Sequence, residues 1–136
     1  MVHFQQDYIY GTQQEAKILP ILQQHFGTTL ERNTERWGKF DFYNDTSIFE
    51  LKSRKNRKNA YPTTLMTCNK VVDNNKDIIF LFNFLDELSY IKYDPKLFET
   101  FEKKPFSRIN QSYDEKDYYF IPIQHLETIK KYNNII

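Results

Sequence analysis

The sequence predicts an α/β domain with a central mixed β-sheet flanked by helices. Three observations carry that expectation: a helix-periodic stretch from Thr12 to Phe26, two alternating segments around Asn44-Asp45-Thr46-Ser47, and a dense apolar run from Ile78 to Phe84. A chain of 136 residues is the size of one domain, spanning residues 1–136. At that size roughly 68–70% of the unfolded surface is buried on folding, enough to dispense with disulfides or a structural metal.

The first helix is expected from Thr12, with Thr12 and Glu15 spaced as a capping box, and it ends at Gly27. Ala16, Leu19, Leu22 and Phe26 share one face, and Pro20 interrupts the interior. A β-compatible run from Thr29 to Arg36 follows. Lys39 to Tyr43 and Ile48 to Ser53 then alternate as two strands of a hairpin, because Asn, Asp, Thr and Ser between them are turn formers. Tyr61-Pro62 opens a second helix-like stretch that fades at Asp73-Asn74-Asn75, since proline suits a first helical turn. Ile78 to Phe84 reads as a strand covered on both faces. Ser89 to Tyr93 is another strand, Pro95 to Lys103 a short helix, Tyr118 to Ile121 a last strand and Pro122 to Tyr132 a terminal helix.

Nineteen basic and eighteen acidic residues leave a formal charge of +1, which excludes a globally basic nucleic-acid-binding chain and requires any such partner to meet a local cluster. The single Cys68 is expected to be a small buried residue. It can form neither an internal bridge nor, with His3, His25 and His125 at their spacings, a zinc site. With one cysteine and no charged-then-apolar leader, an intracellular setting is expected: cytoplasm, nucleus or a viral factory. No apolar run approaches membrane-spanning length, so no membrane partner is expected.

The hairpin carries the chemistry. With Asn44 facing Ser47, Phe42 faces Phe49 and Phe40 faces Leu51, which makes one face apolar. On the other face Asp41 lies opposite Glu50, and Lys52 projects from the same side. Two ionised carboxylates about 4.5–5.5 Å apart at Cβ repel, and a hard divalent cation would turn that repulsion into a binding site.

Asp41 followed by Glu50-Leu51-Lys52 on a hydrophobic strand resembles the core of the PD-(D/E)xK nuclease superfamily, with Phe40 standing in place of the proline. The helix with Glu15, the hairpin and the buried strand are similar to that family's core over about residues 10 to 85. The resemblance implies a restriction-endonuclease-like core. It implies Asp41, Glu50 and the Leu51 carbonyl as metal ligands, Glu15 as a further acid, and Lys52 as the residue that positions or polarises the attacking water. It implies Mg²⁺, with Mn²⁺ as a substitute, and metal-dependent hydrolysis of phosphodiester bonds in DNA, of the restriction or Holliday-junction-resolvase type. One active site per small chain argues for a homodimer.

Between Lys52 and Lys58 five of seven residues are basic, so Arg54, Lys55, Arg57 and Lys58 are expected to contact phosphates. Tyr61, Thr63, Thr64 and Lys70 on the next segment are expected to face the nucleic acid as well. The alternative is a non-catalytic nucleic-acid-binding or interaction protein that retains the fold. Opposed carboxylates argue against it, because a purely binding surface has no use for groups that repel phosphate.

Overall fold

A computed structural model describes residues 2–34, 40–71, 75–106 and 117–132, with the side chains of the first helix described from Gln13 onward. Helix α1 spans Val2–Phe26 and α2 spans Pro95–Phe98. The strands are β1 (Glu31–Arg32), β2 (Phe42–Tyr43), β3 (Ser47–Ser53), β4 (Thr63–Thr67), β5 (Asp77–Asn83), β6 (Glu87–Lys92), β7 (Glu102–Pro105), β8 (Asp117–Pro122) and β9 (Glu127–Lys131). They form a six-stranded sheet in the order β1-β2-β3-β5-β6-β9 and a three-stranded sheet in the order β4-β8-β7. The larger sheet is mixed, because β3 and β5 run parallel while its other pairings are antiparallel.

Strand β5 explains the layering. Its side chains alternate, Ile78, Phe80 and Phe82 to one face and Ile79 and Leu81 to the other, and all five are buried. One face packs under α1, where Ile18 and Leu22 meet Phe42, Phe49, Leu51 and Leu88. The other packs under the three-stranded sheet, where Met66 and Ile121 meet Ile48, Phe80 and Phe82. Each such fully buried Leu, Ile or Phe contributes about 1.5–3 kcal/mol by leaving water.

The α/β class and the mixed sheet agree with expectation, the strand expected at 78–84 is β5 at 77–83, and Gly27 ends α1 with a positive φ of 65°. Other expectations are corrected. The helix begins at Val2, so Thr12 and Glu15 lie in its interior rather than at a cap. Its buried stripe is Ile18 and Leu22, with Ala16 exposed. The sheet has a helix on one face and a second sheet on the other. The stretch 61–73 is not helical: β4 occupies 63–67, with Thr64 and Met66 inward. Three β-branched threonines favour extended backbone, and Pro62 pushes Tyr61 in the same direction. Residues 72–74, where that helix was to fade, lie outside the described residues, as does Lys39 at the start of the expected strand.

Pro95 to Lys103 divides into one turn and a strand. Asp94 Oδ1 caps the turn by accepting the Lys96 N–H at 3.1 Å, and Phe98 and Phe101 then anchor the chain in the core. The expected terminal helix is a 3₁₀ turn, Ile123–His125, followed by β9, which pairs with the free edge of β6. Cys68 is half-buried at the head of a 3₁₀ turn, not a core residue. Among the described residues no helix is long and apolar enough to cross a membrane.

Candidate active site

The site grows from the hairpin. Asn44 Oδ1 accepts the N–H groups of Thr46 at 2.9 Å and Ser47 at 2.8 Å, which fixes the expected turn. The register follows, with Tyr43 opposite Ile48 and Phe42 opposite Phe49. The ladder then breaks one residue early. Asp41 N donates to Phe49 O at 2.9 Å, and the Leu51 N–H is taken by Asp41 Oδ2 at 2.7 Å. Asp41 and Glu50 are therefore not ladder partners, and Phe40 does not face Leu51. Phe40 packs on the cluster beneath the smaller sheet, whereas Leu51 lies in the cluster beneath α1. The Phe40 carbonyl accepts from Asn33 Nδ2 at 2.8 Å, which holds the bulged backbone in place.

The acids meet nonetheless. Glu15 lies three and seven residues before Ile18 and Leu22, so the stripe that docks α1 also turns Glu15 toward the sheet. There its carboxyl neighbours Asp41, and Arg32 Nε lies 3.3 Å from Glu15 Oε1. Glu50, on buried β3, is only 5% exposed. Lys52 Nζ is 3.6 Å from its Oε1 and Lys70 Nζ is 3.3 Å from its Oε2. The Lys70 contact is an ion pair without good hydrogen-bond alignment, so the buried Glu50 Oε2 has no hydrogen-bond partner. Burial first and the neighbouring Asp41 charge second push Glu50 up to about 7, against the pull of Lys52 and Lys70. Glu15 is likewise pushed up to about 7, by burial and then by Asp41, with Arg32 opposing.

Asp41 thus sits between two glutamates that both resist ionisation. Among the described residues no three carboxylate, imidazole or thiolate groups already converge on one point. The donor set nevertheless suits a hard cation. All its atoms are oxygens, one of them buried without a hydrogen bond, and the Asp41 charge, which adds to burial in raising both glutamates, is what a divalent cation offsets.

The basic segment divides into scaffold and surface. Arg54 donates through Nη2 to Leu65 O at 2.5 Å and through Nε to Thr64 Oγ1 at 3.3 Å, tying β3 to β4. Lys58 pairs inward with Glu87 Oε2 at 2.7 Å, an oxygen that also accepts from Ser89 and Thr128. Lys55 and Arg57 are exposed, as is Tyr61 at 62%. Thr63 is half-buried and Thr64 buried. Tyr61, Thr63 and Thr64 lie on no helix, and Lys70, expected to touch nucleic acid, ends a 3₁₀ turn and pairs with Glu50 at 3.3 Å.

Beside Glu50 opens a groove of about 940 Å³, lined among the described residues by Lys52, Arg54, Lys58 and Lys70 together with five aromatic residues and no carboxylate. Sequence reasoning did not identify Arg32 or the aromatic floor of this groove. The alternation of Tyr118, Phe120 and Pro122 along β8 carried the signal for the floor. No protein-family model matches the chain, and no curated protein matches it.

Proposed function

We propose that the protein is a metal-dependent phosphodiesterase of the PD-(D/E)xK type, with a restriction-endonuclease-like core, that hydrolyses DNA. The observation that carries this reading is the buried Glu50 carboxylate. It is pressed against the Asp41 charge and reached by the ammonium of Lys52, on a strand whose next N–H is held by Asp41 itself. Asp41 and Glu50, with Glu15 and the Leu51 carbonyl beside them, would hold Mg²⁺ or Mn²⁺, which supplies Lewis-acid charge and an activated water.

The chain's own residues do the rest. Lys52 is half-exposed where Glu50 is buried, so its ammonium can stay near Glu50 and still reach a phosphate oxygen on which charge develops. Lys70 brings a second ammonium to the same carboxylate, and Arg32 holds Glu15 in place. Glu50 is 5% exposed, and in that low-dielectric setting its interactions with the two ammonium groups are stronger than in water. One cluster per chain cuts one strand at a time, so the reading includes a homodimer for paired cuts.

Supercoiled plasmid, single-stranded, duplex and four-way substrates incubated with Mg²⁺, Mn²⁺ or EDTA test the reading. Cleavage should require metal and vanish in Glu50→Gln. Binding that persists without cleavage on every substrate returns the protein to the non-catalytic class.

A further inference from the structure

The three-stranded sheet has an inner face buried on the core and an outer face whose side chains on β4 and β8 are half-buried. Thr64, Met66 and Ile121 point inward. By the two-residue alternation of strands, Leu65, Thr67, Tyr118 and Phe120 point outward. Phe106, 43% exposed, completes the outer patch, standing edge-on to Tyr118 with centroids 6.3 Å apart and to Phe120 at 6.4 Å. Across the groove stands Tyr61, 62% exposed. At the inner end Lys52 and Lys70 flank Glu50, with the Arg54 guanidinium beside them.

We infer that this groove binds an unpaired nucleic-acid strand, its bases stacked on the aromatic outer face and its phosphates passing Lys52 and Lys70 toward Glu50. Charge complementarity favours a polyanion: among the described residues the groove's lining holds four cations and no carboxylate, and with Lys58 paired to Glu87 and both Lys52 and Lys70 sharing Glu50 an excess of positive charge remains. The rings select the kind of polyanion. Exposed aromatic faces gain most from flat π-systems, and every base offers one when unpaired, whereas in a duplex the base faces are already stacked on each other. An acidic peptide would satisfy the cations but not the rings. Lys104, whose Nζ lies 5.0 Å over Phe120 and 3.3 Å from Glu102, is half-exposed and can move to a phosphate when a base takes its place on the ring.

That the bound strand is also the substrate rests on the nuclease reading; the binding itself does not. The test is therefore made first in EDTA. Fluorescence anisotropy compares a labelled oligothymidylate with a blunt duplex of equal length, on the full chain. The single strand should bind more tightly. Phe106→Leu, which keeps an apolar side chain but loses the ring, should weaken binding about five- to a hundredfold, and Phe106→Tyr should restore it. Tyr61→Ala, on an exposed side chain outside the core, is the second variant and should weaken binding in the same direction. Circular dichroism confirms that each variant is folded. Duplex binding equal to or tighter than single-strand binding overturns the inference. So does an unchanged Phe106→Leu, or competition by a polyglutamate peptide as effective as that by the oligonucleotide. Metal is added last. Strand binding in EDTA with no cuts under Mg²⁺ or Mn²⁺ removes the nuclease reading and leaves the channel; metal-dependent cuts indifferent to Phe106 do the reverse.

Discussion

Asp41 Oδ2 accepts the main-chain N–H of Leu51 at 2.7 Å, so the carboxylate that faces the two glutamates is also what closes the broken end of the hairpin ladder. One side chain is both a structural acceptor and a source of charge, and substitutions can separate the two roles. Asp41→Asn keeps an oxygen for the Leu51 N–H and should retain the fold while weakening Mn²⁺ binding. Asp41→Ala leaves that N–H without its acceptor and should cost about 1–3 kcal/mol in urea unfolding. Equal stability of the two variants would show that the Leu51 bond carries no weight.

Lys52 and Lys70 share Glu50 but differ in reach. Lys52→Ala should lower the cleavage rate about a hundredfold or more with Mn²⁺ affinity nearly unchanged, as expected of a group that acts on developing charge. Single-turnover kinetics alongside metal titration would separate these effects. A loss of metal affinity as large as the loss of rate would place Lys52 in the scaffold of the site.

Glu50 and Glu15 make the metal-free protein sensitive to alkali. Both are raised from 4.5 to about 7, so the folded chain holds protons that the unfolded chain releases. Their contribution to stability is full below about pH 4.5 and is lost as the pH rises through about 7. Thermal melting in EDTA should therefore fall between about pH 5 and pH 8, and Glu50→Gln should flatten that slope. A melting temperature that instead rises over this interval in the wild type, and not in the variant, has the opposite sign and rules the account out.

Glu87 behaves in the opposite way. Burial alone would raise it, but hydrogen bonds from Lys58, Ser89 and Thr128 together outweigh burial and hold its carboxyl below the ordinary value. Its contribution is present above about pH 4.5 and is lost as the pH falls through the lowered value. Lys58→Met strands a buried carboxylate and should cost about 3 kcal/mol at neutral pH. Arg57→Ala, on an exposed side chain nearby, should leave stability within about 0.5 kcal/mol. Chemical denaturation of the two variants makes the comparison.

Salt distinguishes the cations that hold the fold from those that hold a ligand. Each phosphate contact releases counterions, so Lys55→Ala with Arg57→Ala should flatten the salt dependence of oligonucleotide binding by up to about one unit of log–log slope per lost contact. An unchanged slope assigns both residues to solvent.

Much of this fold was legible from local pattern. The Asn44 turn, the Phe42–Phe49 register, the buried run of β5 and the approach of Glu50 to Lys52 follow from side-chain alternation and turn chemistry, which act between near neighbours in the chain. Glu15 could be found from its spacing to Ile18 and Leu22, although its Thr12 neighbour suggested a helix cap that does not exist.

The folded chain alone decided the rest. β4 and β9 are strands because partners distant in sequence, β8 and β6, offer them unpaired edges, and a local helix signal cannot register that demand. Lys58 and Arg54 turn inward because Glu87 and Leu65 O wait there, which a run of basic residues does not disclose. That Asp41 from a bulge neighbours both Glu15 from a helix and Glu50 from a buried strand depends on three elements packing at once. Long-range packing sets which charges become neighbours, and periodicity records only which side of its own element each residue occupies.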